Sequence, residues 1–328
     1  MNATMRAAVV DRPGPPEVLT VRDVPRPRPR EGWSLVRVMA AGLNRSELFT
    51  RQGHSPGVRF PRVLGIECVG VVAEPSPSGP GAGTTVAAVM GEMGRAFDGG
   101  YAQYALLPDR LLMPLSTTLD WETLAALPET YLTAYGSLAT FGDANGGALL
   151  VRGGTSSVGM AALSLARGRG WTTIATTRDP AKAAALTAGG ADHAIVDTGT
   201  VADAVRAVYP GGPERVLDLV GPPTLAESLR VAGRGGAVCV TGTLSGTWVM
   251  PDFEPVSMIP TGTTLTAFHS DGIAGAAGAA ALREIAGGVT DGRYRANLDR
   301  VFPLEEIAAA HRYMEENRAA GKVVVRMP

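Results

Sequence analysis

Short apolar runs punctuated by glycine and proline mark the first 120 or so residues: Met5–Val10, Leu35–Ala40, Cys68–Ala73 and Thr85–Val89. Runs of strand length with such punctuation predict a β-rich segment. Between the first two, Pro25, Pro27 and Pro29 alternate with Arg26, Arg28 and Arg30, which blocks a regular ladder and predicts an extended connector. Gly99-Gly100-Tyr101-Ala102-Gln103-Tyr104 reads as a turn entering another strand.

Beyond residue 120 the period changes. Asp120 is placed to cap a helix from Trp121, and Thr130–Phe141 has helical spacing. Strands at Ala148–Arg152, Thr172–Thr177, His193–Val196, Arg215–Val220 and Ala237–Thr241 then alternate with helices at Val158–Arg169, Pro180–Ala188 and Thr224–Val231. That alternation predicts the βαβ pattern of a doubly wound parallel sheet. The last third opens with an extended Thr263–Phe268 and continues through helical stretches at Ala274–Ala286 and Leu304–Asn317 to a strand at Lys322–Arg326.

Composition narrows the function classes. A length of 328 residues predicts two domains, and thirty basic against 31 acidic residues leave no footprint for nucleic acid. Two cysteines, Cys68 and Cys239, cannot build a disulfide framework or a four-thiolate zinc site. The apolar stretch Ala7–Val10 is too short for an export signal, and no segment approaches a membrane span, so a cytoplasmic protein is expected. His193 and His311 read as structural or solvated, and no pair of the four histidines has metal-ligand spacing.

The strongest local signal is Val151-Arg152-Gly153-Gly154-Thr155-Ser156-Ser157-Val158-Gly159, between a predicted strand and a predicted helix. Gly153 permits a tight turn and Gly159 close helix packing, while the backbone from Thr155 to Val158 faces a pyrophosphate at the helix N-terminus. Ser156 replaces a glycine of the pattern, and its hydroxyl can donate to phosphate. A tight turn without a ligand is the plainer alternative. At the end of the next strand, about twenty residues on, NAD sites carry an acid. Here Thr177 is followed by Arg178, with Lys182 one helical turn later, which reads as a pocket for a 2′-phosphate and hence NADPH. The alternative is a solvated charged turn.

With this turn in mid-chain behind a β-rich segment, the sequence resembles the medium-chain dehydrogenase/reductase superfamily, in particular its zinc-independent quinone oxidoreductase (zeta-crystallin-like) branch. The resemblance runs through Gly14-Pro15-Pro16-Glu17-Val18-Leu19, Ala41-Gly42-Leu43-Asn44-Arg45-Ser46-Glu47, Leu64-Gly65-Ile66-Glu67, Gly99–Tyr104, Gly153–Gly159 and Gly321-Lys322-Val323-Val324-Val325. It implies an α/β fold: a Rossmann domain over residues 123–263 and a GroES-like catalytic domain over 1–122 and 264–328. Zinc-dependent relatives carry cysteine and histidine where this chain has Asn44 and Ile66, so no metal is expected. The implied chemistry is hydride transfer from NADPH to a quinone or enone, and the implied assembly is a homodimer. Asn44 is the expected contact to ribose or substrate. Phe49 and Ser55 stand where relatives carry tyrosines, leaving Arg45, Ser46, Tyr131 or water as proton sources. Thr133, Thr243, Leu244, His269 and Lys322 complete the expected cofactor contacts. Alternatives are an enoyl-thioester or alcohol/ketone oxidoreductase, or an NADPH-binding protein without catalysis.

Overall fold

Ala148–Arg152 has no exposed residue along its five positions, which suits a strand covered on both faces by helices. The computed structural model describes residues 3–142, 146–273 and 275–328. In it this strand lies inside a six-stranded sheet ordered His193–Val196, Thr172–Thr177, Ala148–Arg152, Arg215–Asp218, Ala237–Val240, Thr264–Ala267. Every neighbouring pair is parallel. Numbered along the chain the order is 3-2-1-4-5-6, that of a dinucleotide-binding sheet, and it reverses between Ala148–Arg152 and Arg215–Asp218. Ile174, Leu150, Val216, Val238 and Leu265 stand side by side in register and carry the core across the strands.

This sheet belongs to a unit formed by Thr133–Ser270 and Arg293–Asn297. The resemblance implies a domain end at residue 263. Instead Thr264–Ala267 pairs with Ala237–Val240 as the sixth strand, and the Phe268 ring packs so closely on Gly136 that a Cβ there would lie 2.1 Å from it. Two of the strand's four residues are exposed, which is why its apolar pattern is too weak to assign it to the sheet. Ala274, where the next expected helix begins, lies outside the described residues. The helix observed there is Ala276–Thr290.

The other unit comprises Met1–Leu132, Asp271–Gly292 and Leu298–Pro328. Its larger sheet has seven strands, ordered Leu298–Pro303, Lys322–Arg326, Trp33–Gly42, Glu67–Glu74, Thr85–Val89, Met113–Pro114, with Tyr104–Pro108 also paired to Trp33–Gly42. The ten-residue Trp33–Gly42 is long enough to serve both Tyr104–Pro108 at its start and Lys322–Arg326 at its end. A second, three-stranded sheet is ordered Leu19–Pro25, Thr4–Val10, Arg62–Val63. One apolar cluster, including Val10, Val38, Leu107, Ile307 and Val325, joins the two sheets and the helix Ile307–Glu315. The strands Leu19–Pro25 and Leu298–Pro303 and the helices Arg45–Arg51 and Ala202–Val208 have no counterpart in the sequence reading. Among the described residues no helix is long and apolar enough to cross a membrane.

Candidate functional site

In the parallel unit, Ala148–Arg152 ends at Gly153, whose φ of +78° lies where only glycine sits without strain. The amide of Gly154 donates to the Thr176 carbonyl at 2.9 Å, tying the turn to the neighbouring strand. The helix Ser157–Gly168 follows at once. A Cβ on Gly159 would lie 2.7 Å from the carbonyl oxygens of both Gly153 and Gly154, so only glycine lets the first helical turn settle on the bend. Ser156 is the cap of this helix. Its hydroxyl accepts the Gly159 N–H at 3.1 Å and donates to the Gly153 carbonyl at 2.8 Å. The donor expected for phosphate is therefore spent on the turn itself. What the turn offers an anion is the first-turn backbone at Ser157 and Val158, with the helix dipole behind it. Thr155, Ser157 and Val158 are half-buried there.

Of the other expected contacts, Leu244 lies directly on the turn. Leu244 packs over Gly153, where a Cβ would meet its Cδ1 at 2.7 Å, and its N–H is held by the Leu219 carbonyl at 3.0 Å. Thr243, beside it, is half-buried. Ser137 donates to the Thr133 carbonyl at 2.7 Å and shares a hydrogen bond of 2.9 Å with Thr241, tying the helix that carries Thr133 to the strand end that precedes Thr243. Thr177 is buried, Lys182 half-buried and Arg178 exposed. Asp179 does not take the place of the missing acid: its carboxylate caps the 3₁₀ turn Pro180–Lys182 by accepting the Ala181 N–H at 3.0 Å. His269 is exposed just past the sixth strand.

The β-rich unit holds a second cluster. Asn44 begins the helix Arg45–Arg51, and Glu47 Oε2 reaches back to accept its N–H at 3.1 Å, while Glu47 Oε1 accepts the Ile66 N–H at 3.0 Å. The Asn44 carboxamide donates from Nδ2 to Glu67 Oε1 at 2.9 Å and accepts at Oδ1 from Lys322 Nζ at 2.6 Å. Lys322 also donates to Glu67 Oε1 at 2.6 Å, and Glu67 Oε2 accepts the Glu129 N–H at 2.9 Å, at the start of the helix Pro128–Ala139. Lys322, Glu67 and Glu47 are each at most 1% exposed.

Burial pushes Glu47 up to about 7 against the pull of the Ile66 amide and the Lys322 ammonium. Burial, with Glu47 and Glu67 nearby, drives the Tyr101 phenol far above its usual range. Cys68 is buried and pushed up to about 12, first by burial and then by Glu67, so it stays a thiol. His311, expected to be structural or solvated, is wholly buried, edge-on to Tyr101, and held down at about 3 by burial and by Arg51.

Lys322, expected at the cofactor, thus lies with Asn44 and Glu67. Ser46 accepts from Arg95 Nη2 at 2.6 Å, Arg45 is half-buried, and Tyr131 is completely buried. Glu47, the Glu129 amide and the room left by Gly42 were not foreseen. The Asn44-x-x-Glu47 spacing of a capping box was the available signal for the first of these.

Comparison with known proteins adds three kinds of similarity. The family model for the alcohol dehydrogenase GroES-like domain matches residues 30–117, and that for zinc-binding dehydrogenase matches residues 189–325. A quinone oxidoreductase of Lama guanicoe is 29% identical over 98% of this chain and 97% of its own length. Among solved structures, an NAD-dependent alcohol dehydrogenase (28% identity, TM-score 0.87) covers 99% of this chain and 100% of its own. Mycobacterial Rv1454c complexed with NADPH (25% identity, TM-score 0.87) covers 98% of this chain and 99% of its own.

Proposed function

We propose that this chain, which belongs to the medium-chain dehydrogenase/reductase superfamily and to its quinone-oxidoreductase-like branch, is a zinc-independent, NADPH-dependent reductase of quinones or α,β-unsaturated carbonyls. It acts in the cytoplasm as a homodimer. That it is an oxidoreductase follows from the family. The finer reading rests on one observation above the rest: the Asn44 carboxamide is committed to Lys322 and Glu67.

That commitment argues against zinc on the chemistry of the donors. Asn44 and Ile66 supply an amide and an alkyl chain, Cys68 stays protonated, and Glu67 already neutralises an ammonium. Without a Lewis acid, the accessible substrates are those already electrophilic, because a quinone or enone spreads the incoming charge onto oxygen. Bound NADPH supplies the hydride. The chain's part is to hold and orient. Gly153, Thr155, Ser156, Ser157, Val158 and Gly159 form the pyrophosphate cradle, its space kept open by the two glycines. Arg178 and Lys182, with Thr177 before them, take the 2′-phosphate, and Thr133, Thr243, Leu244 and His269 lie along the nicotinamide half. Asn44 contacts ribose or acceptor. Arg45, Ser46 or water passes the proton to the acceptor oxygen, while Tyr131, expected as a further source, is completely buried and drops from that set. The exposure of the large apolar residues Trp248, Val249 and Val256 supports a homodimer in which a second copy covers them.

The test follows NADPH consumption with a planar ortho-quinone and with a simple enone, each with and without a metal chelator. Turnover unchanged by the chelator and faster with NADPH than with NADH is the expected outcome. Removing both cations, Arg178→Ala with Lys182→Ala, is expected to raise KM for NADPH by about tenfold to a hundredfold, as loss of charge-assisted bonds does, and to leave KM for NADH nearly unchanged. A rate abolished by chelator and restored by Zn²⁺ overturns the metal-free reading. Equal use of both nucleotides overturns the phosphate pocket.

A further inference from the structure

We infer that Lys322, seated in the space left by Gly42 and neutralised by Glu67, is a positioning residue that fixes the Asn44 carboxamide for the reaction. The inference rests on the contact proposed for Asn44 above.

The terminal torsion of an asparagine is broad and nearly two-fold, so an unassisted carboxamide presents its oxygen and its nitrogen almost interchangeably. Here an ammonium lies 2.6 Å from Oδ1 and a carboxylate 2.9 Å from Nδ2. A flipped amide would set N–H against ammonium and C=O against carboxylate, so one orientation remains. The same two charges draw electron density toward the amide oxygen and make the amide N–H a stronger donor. One Nδ2 hydrogen serves Glu67. The other faces Glu47 Oε1 only at 3.4 Å, and that oxygen already accepts from Ile66 at 3.0 Å. This weakly held hydrogen is the one Asn44 can give to a cofactor hydroxyl or an acceptor carbonyl.

Structural economy does not explain the lysine. Val323, Val324 and Val325 beside it are buried, and an apolar residue at 322 would avoid the desolvation that a buried ion pair incurs. The space is reserved as well. A Cβ on residue 42 would stand 2.3 Å from Glu67 Oε1 and 2.5 Å from Lys322 Cε.

Two measurements on the full chain test the clamp. With ¹⁵N-asparagine labelling there are five asparagines to resolve. In the wild type, Asn44 is expected to give a distinct pair of slowly exchanging side-chain NH₂ resonances, which collapse toward free-amide behaviour in Lys322→Met. In steady-state turnover the same variant is expected to lose about a hundredfold in kcat, the usual effect of a misplaced reacting group, with KM for NADPH within about threefold. Ethylammonium added to Lys322→Ala is expected to restore part of kcat. Gly42→Ala keeps the charge but crowds the pair, and is expected to reproduce the resonance change should Lys322→Met fail to fold. Unmoved Asn44 resonances, or a wild-type kcat, in folded Lys322→Met overturns the inference. A wild-type chain that reduces neither quinone nor enone overturns the proposed function instead, and the resonance measurement still decides the clamp.

Discussion

Two buried residues of the β-rich unit, His311 and Glu47, pull its stability in opposite directions with pH. His311 is held at about 3 in the fold against 6.5 when free, so the unfolded chain binds the extra proton and stability falls as pH drops from 6.5 toward 3. The full shift amounts to about 5 kcal/mol. Glu47, raised to about 7 from 4.5, is the reverse case. The folded state binds the proton more tightly, and its contribution of about 3 kcal/mol is present below pH 4.5 and lost as pH rises through 7. Between pH 4.5 and 6.5 the two slopes oppose each other. Urea unfolding across pH is therefore expected to show His311→Leu with its acid limb flattened and Glu47→Gln with stability rising toward neutrality. Parallel curves for wild type and both variants would contradict this. Little of it was legible in the sequence. Asn44 stood out by residue type, and its spacing to Glu47 matches a capping box, but nothing in that spacing announces that the carboxylate at 47 is buried.

At the scale of elements, the bend at Gly153 and the helix after it show where local reading succeeds and where it misassigns a role. The run Ala148–Arg152 and the alanine-rich stretch after it identified strand, turn and helix, because each is apolar along most of its length. The role of Ser156 was not legible, since a capping hydroxyl and a phosphate-binding hydroxyl occupy the same position in sequence. Ser156→Ala is expected to destabilise the fold by about 1 kcal/mol, as loss of a helix cap does, while NADPH affinity measured calorimetrically stays within about threefold. A larger loss of affinity would return the hydroxyl to the phosphate. Gly159→Ala is expected to lower both Tm and nucleotide affinity, the latter by about tenfold or more, because its methyl must displace two carbonyls that shape the cradle. Arg45–Arg51 escaped notice for a different reason: at seven residues it is too short to display a helical period.

At the scale of the molecule, the order of the parallel strands is a property of the whole run of βαβ units and not of any single segment. The joining of both chain ends in one unit was reached only through family resemblance. The proposed homodimer is also decided at this scale. Light scattering is expected to give about twice the 33.9 kDa chain mass, and Trp248→Glu with Val256→Glu to return the monomer. A monomeric wild type would leave those apolar side chains without the proposed cover. One further consequence lies in the distance along the chain from Asn44 to Lys322, 278 residues. At roughly 5 to 20 residues per second on a ribosome, about a quarter of a minute to a minute separates the birth of Asn44 from that of the ammonium its carboxamide accepts. In that interval all six strands of the parallel sheet have been made. The nascent β-rich unit, by contrast, still lacks the strand that fills the place beside Trp33–Gly42 and carries the cation that neutralises Glu67. The order of synthesis thus makes this the later half to mature, and the half that most needs protection from proteolysis and mispairing while it waits.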